Sequence, residues 1–268
     1  MRVNRGCSEG NCLSERTTWL LRAILGLALI AAWEAFGAFT GGTWTSKPSL
    51  IAVRLVQWAQ RDLAWHVATT LQEIVVGLAI GVPLGIALGI VLGRAPITAK
   101  ILRPLILTLN SIPVVALAPL LIMWFGLGLQ PKIVLVALAS FLLLFFNTFA
   151  GAQAVDRDMI SALELMGASA RERFQKAVLP GCTTWIMGGL RNALPYALIG
   201  ATVGEMMLAR NGLGYLISNA AGQFDMAGIY AALVVLMILG IIVNELANRL
   251  EGWLLRWRPV AAPAWSNM

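Results

Sequence analysis

The residues able to do chemistry in this chain are few, and most lie in apolar sequence. Asn110, Ser111, Pro113, Asn147, Asn192 and Glu205 fall inside long runs poor in charge. A polar group or a broken helix in hydrocarbon is tolerated only against protein or a water-filled cavity. Such residues could line a path for a solute; they could equally serve packing and anchoring. Arg191 and Glu205 are 14 residues apart on one run, about 21 Å along a helix, so they cannot pair within it. Glu34, Glu73 and Glu245 lie near the ends of apolar runs and read as anchors. Bond-making chemistry has no motif here. There is no GxxxxGK[ST] phosphate loop, no HExxH and no GxSxG elbow. The single His66 precludes a histidine-based metal cluster, so no metal site is expected. Cys7, Cys12 and Cys182 have no paired ligand spacing. Cys7 and Cys12 read as free thiols in a tail, or as a small binding site there.

The elements that must position these residues are membrane helices. Of 268 residues, 59% are hydrophobic and 12% charged, and mean hydropathy is +0.78; a soluble domain carries about 25% charged residues. Apolar runs at 23–39, 74–93, 104–130, 133–155, 185–208 and 226–244 predict six spans, each near the ~20 residues a helix needs to cross a bilayer. The runs do not alternate in polarity, which excludes barrel strands. The expected fold is therefore all-α and polytopic, with tails at 1–18 and 259–268 around a transmembrane domain at 19–258. Lys and Arg collect on one side: Arg94, Lys100, Arg103, Arg157, Arg171, Arg173, Lys176, Arg249, Arg256 and Arg258, with the N-terminal arginines. Lys47, Arg54, Arg61, Lys132 and Arg210 face them. That bias predicts both termini in the cytoplasm. It also accounts for the net charge of +7 without nucleic acid, for which no basic stripe interleaved with aromatics exists.

Two spans carry further signals. Gly77, Gly81, Gly85, Gly89 and Gly93 repeat every four residues, which lets another helix backbone approach closely. The stripe drifts ~40° per step, which predicts a crossing helix more than a long parallel seam, and Pro83 predicts a kink. In the third span, Asn110, Ser111, Pro113 and Pro119 predict a local break, in either a pathway lining or a kinked, packed helix.

The segment 156–180 differs from an ordinary loop. Asp158 can cap a first helix bearing Met159, Leu163 and Met166 on one face. Gly167 supplies the left-handed conformation that ends it. Ser169 and Glu172 make a capping box for a second helix, which Pro180 is expected to stop. The segment is either a docking element or an amphipathic loop lying on headgroups.

Here the sequence resembles a family. Ser161–Pro180 is similar to the coupling segment of bacterial ABC importer permeases, whose pattern is EAA, three residues, Gly, nine residues, then I-x-LP. Ala162, Gly167, Leu179 and Pro180 match; Ser161, Leu163 and Ala177 depart from it. NSIPVVALAPLLIMWFGLG, NALPYALIGATVGE and NGLGYLISNAAGQFD resemble the nitrate, sulfonate, taurine and bicarbonate branch, and the resemblance covers about Leu20 to Trp257. It implies a permease subunit in the bacterial inner membrane, not an enzyme. It implies a second permease copy, two copies of an ABC ATPase that binds the ATP and Mg, and a periplasmic or lipid-anchored binding protein. Ser161, Ala162, Leu163, Glu164, Gly167, Ala168, Leu179 and Pro180 would touch the ATPase. Glu164 could supply the carboxylate missing at Ser161. The solute would be a small organic or inorganic anion, such as a sulfonate or nitrate. The other class open to the residues is an ion-coupled carrier.

Overall fold

The computed structural model describes residues 15–39, 45–208 and 210–254, which form eleven α-helices and, among the described residues, no strand. Cys7, Cys12 and most of both tails lie outside them. In chain order the helices are α1 (Glu15–Phe39), α2 (Pro48–Ala59), α3 (Leu63–Arg94), α4 (Pro96–Asn110), α5 (Ala118–Phe125), α6 (Leu129–Gln153), α7 (Arg157–Leu165), α8 (Ala170–Arg173), α9 (Leu179–Leu208), α10 (Leu213–Gly222) and α11 (Met226–Leu254).

Four helices contain a stretch long and apolar enough to cross a membrane: Thr17–Phe39, Leu63–Arg94, Leu129–Gln153 and Met226–Arg249. The 30 residues of α9 reach about 45 Å, enough by length. The remaining predicted span is broken. α4 ends at Asn110, a 3₁₀ turn covers Val114–Leu117, and α5 follows. Pro113 removes a backbone donor and forces an extended conformation just before that turn, while Pro119 sits in the tolerated first turn of α5.

Helix α3 begins at Leu63, well before the predicted start at Ile74. The sequence places the boundary at Glu73 because a charge ends an apolar run; in the fold that charge is paired, so the helix runs through it. The moderately apolar Pro48–Asp62 is largely the helix α2, and Glu34 holds its start: the carboxylate accepts from the Ser49 backbone N–H at 3.0 Å and hydroxyl at 2.7 Å. This satisfies donors that the first turn of a helix leaves open.

The core is α3 against α6, with α9 behind. Gly77, Gly81, Gly85, Gly89 and Gly93 face Val136, Ser140, Leu144, Thr148 and Ala152 in turn. Both lists step by four, so the helices run parallel and in register. A Cβ on Gly89 or Gly93 would stand 2.7 Å from the Cβ of Thr148 or Ala152. The predicted short crossing is thus a long parallel seam. The 40° drift per step is taken up by the two helices winding around each other, the behaviour of repeats longer than 3.6 residues.

Candidate functional site

The 156–180 segment folds as two capped pieces. Asp156, not Asp158, is the cap of α7: its Oδ1 accepts from the Asp158 N–H at 2.8 Å. Gly167 has φ +78°, and the turn it closes has a paired pattern. Its N–H donates to Glu164 O and the Ala168 N–H to Leu163 O, both at 2.9 Å, which satisfies the last carbonyls of α7. The capping box at α8 is complete: Ser169 Oγ accepts from the Glu172 N–H at 3.3 Å, and Glu172 Oε2 accepts from the Ser169 N–H at 2.9 Å. The Ser169 backbone and hydroxyl donors, with Lys176 beyond, hold the Glu172 carboxyl below its ordinary pKa. Glu164 is no free carboxylate, since it pairs with Arg173 and so braces α7 against α8. Ala162 is exposed, Leu163 and Ala168 half-buried, and Leu179 exposed. The rigid turn presents Leu165 and Met166, 90% and 81% exposed, at its tip. Leu165 belongs to no motif, and only its exposure singles it out.

Pro180 does not stop the second helix. The chain passes from α8 through one π turn, Phe174–Val178, into α9 without leaving helical angles. A π turn widens the helix by one residue per hydrogen bond, which makes room for a proline ring that would clash with an α-helical carbonyl four residues back.

The pathway candidates separate. Ser111 and Pro113 line a cavity of about 450 Å3 at the break between α4 and α5, together with Phe146, Tyr196 and Ile199. Asn110 closes α4, but its side chain lies outside the described part. Asn192 is exposed one turn from Tyr196 on the same face of α9. The Asn147 amide donates to Leu143 O at 2.8 Å, and the side chain packs over Gly189.

Glu205 does not line that cavity. It is fully buried in a polar cluster at the end of the bundle away from α7. There the first turn of α10 is held by three side chains of other helices. The Gly212 N–H donates to His66 Nδ1 at 3.0 Å, the Leu213 N–H to Thr70 Oγ1 at 3.0 Å and the Gly214 N–H to Glu205 Oε2 at 2.7 Å. Thr70 also donates to Glu205 Oε1 at 2.7 Å. Because His66 Nδ1 accepts, its proton lies on Nε2, facing Asp62 at 3.4 Å. Buried Lys132 pairs with buried Glu73, close enough to Glu205 to interact with both carboxylates. Glycine is required at 212, where φ is +111° and a Cβ would collide with the Glu205 carboxylate. Sequence reasoning missed His66, Thr70, Glu73 and Lys132 as one group. Their one common signal is i, i+4 spacing of His66 and Thr70 on α3, which points at nothing until α10 is placed.

The described residues thus form a bundle of membrane-length helices with one broken span and a capped, apolar-tipped loop. Residues 81–256 match the family described as binding-protein-dependent transport system inner membrane component, and the chain belongs to it. Relatives support the ABC importer branch. The riboflavin transport system permease of Chloroflexus aurantiacus is 37% identical over 86% of this chain and 87% of its own. The formylaminopyrimidine transport permease of Halalkalibacterium halodurans is 33% identical over 87% and 93%. The putative aliphatic sulfonates transport permease of Escherichia coli is 33% identical over 90% and 94%. Among solved structures, a methionine ABC transporter in inward-facing conformations superposes with TM-score 0.56 over 71% of this chain and 96% of that one, at 20% identity. An amino acid ABC transporter gives 0.57 over 74% and 96%, at 17% identity. These two likenesses show the fold.

Proposed function

We propose that this chain forms one half of a solute pathway through the inner membrane and takes its driving force from a separate ATPase that docks on the α7–α8 turn. The observation that carries this is the pair Leu165 and Met166, exposed on a turn capped on both sides. Large apolar side chains on a rigid projecting turn are what a partner groove buries. The charge bias puts this turn and both termini in the cytoplasm, where the ATPase subunits bind ATP and Mg. A second copy of the chain completes the pathway, and an external binding protein delivers the solute. The test is co-purification of the detergent-solubilised chain with its ATPase. The Leu165→Ser, Met166→Ser variant should stay in the membrane and lose the ATPase; retention of the ATPase would sink the docking role.

The solute proposed from the family branch is a small anion such as a sulfonate or nitrate. A second reading, a flat heterocycle, is favoured by the cavity at the α4–α5 break, where Tyr196 and Phe146 line the wall and, among the described residues, no cation does. Two relatives are named for such compounds, riboflavin and formylaminopyrimidine. Competition of labelled uptake in whole cells by taurine, nitrate and riboflavin separates the two readings.

A further inference from the structure

A second cavity, of about 540 Å3, opens at the α7 end of the bundle between the end of α3, the start of α4, the end of α6 and α7. Its polar lining is Arg94, Lys100, Gln153, Arg157, Ser161 and Glu164. Three of these are cations, and none forms an ion pair among the described residues. Glu164, the one carboxylate, is already engaged by Arg173.

A general excess of positive charge at this face explains cations in its loops, but not this arrangement. Arg94 lies in the last turn of α3, where the helix dipole favours a cation. Arg157 is the first residue of α7, at a helix end that disfavours a cation, while Lys100, fifth in α4, lies past the first turn. Arg157 is therefore placed against the local backbone field, and all three cations line one cavity. The start of α4 lines the same cavity through Ala99 and Lys100, and no side chain caps it. The lining thus holds guanidinium, ammonium, amide and hydroxyl donors, and its one carboxylate is taken.

We propose that this cavity binds a phosphate-type anion, held by Arg94, Lys100 and Arg157 with Gln153 and Ser161 as neutral donors. A phosphodiester of a lipid headgroup and inorganic phosphate present the same oxygens to these donors. The cavity opens where α3 and α6 end, at the level of headgroups if these helices cross the membrane. The cavity shares Ser161 and Glu164 with the segment assigned to the ATPase, but it lies away from the Leu165–Met166 tip, and anion binding to the chain alone is read separately from docking.

The test is native mass spectrometry of the full chain in detergent, titrated with phosphatidylglycerol, phosphatidylcholine or inorganic phosphate. One tightly held phosphatidylglycerol per chain, with phosphatidylcholine bound at least tenfold more weakly, supports the site and identifies lipid as its source. Saturable phosphate binding that displaces the lipid supports the site and identifies the free anion. The Arg94→Gln, Arg157→Gln variant should bind at least roughly tenfold more weakly, the scale of losing charge-assisted hydrogen bonds. Since that variant can misfold, Ser161→Glu is the second probe: it keeps every cation and puts a carboxylate into the cavity, and it should weaken binding similarly. Lys176→Gln, which removes a cation outside the cavity, should leave binding unchanged. Equal binding of the two phospholipids, binding of neither anion, or binding indifferent to Ser161→Glu would overturn the proposal.

Discussion

Lys132 decides the balance of the polar cluster at the α10 end. It is the one cation among two buried carboxylates, and removing one partner of a buried pair leaves a charge that nothing offsets. Lys132→Met is expected to destabilise the protein by about 3–5 kcal/mol, and Glu73→Gln in the same chain to recover part of that. Thermal unfolding in detergent checks both; equal midpoints for parent, single and double variants would show that the pair contributes nothing. At the α7–α8 turn, Gly167→Val forces a β-branched residue to φ +78°. It should leave the chain in the membrane but uncouple ATP hydrolysis from uptake, and normal uptake would remove Gly167 from the coupling role. Glu172 gives a pH prediction. Its folded pKa lies below the ordinary 4.5, so the cap's contribution is complete above that value and fades as pH falls through the lowered one. Amide exchange at α8 should therefore quicken below about pH 4.5 relative to Glu172→Gln, which removes the titrating group. Of these residues, Gly167, Ser169 and Glu172 were legible in sequence because their partners lie within a few positions. His66, Thr70, Glu73, Lys132 and Glu205 were not, because their bonds join α3, α6, α9 and α10 across more than fifty positions.

Among the elements, the α3–α6 seam is the least forgiving. A leucine at Gly85 has no room against Leu144 and the Phe141 carbonyl, whereas Gly188 on α9 has nothing within 4 Å. Gly85→Leu should abolish accumulation of folded protein while Gly188→Ala leaves it unchanged, read as the monodisperse fraction on size exclusion. The glycine spacing was legible, but not its partner or length, since sequence periodicity describes one helix and the winding belongs to two. The break of the third span was legible because prolines act locally. The passage of α8 into α9 was not: proline alone reads as a stop, and the π turn that accommodates it is a property of the folded helix.

For the whole molecule, orientation and path are the properties to test. Single cysteines at Ile112, Asn192 and Tyr196, placed by the α4–α5 break and the exposed face of α9, should react with a water-soluble thiol reagent to an extent that changes with nucleotide on the ATPase. Uniform protection at all three would place this face against lipid or a packed neighbour. Cys182 is buried and should stay silent in the parent chain.

The register of the α3–α6 seam limits how the protein can move. Facing residues match every four positions on both helices, so the next register with the same fit lies about 6 Å away at 1.5 Å per residue. Any shorter slide drives helix backbone into side chains that glycine alone had cleared. The two helices are therefore expected to travel as one body, and the access change of the proposed pathway to fall at the interrupted α4–α5 span that borders the Tyr196 cavity.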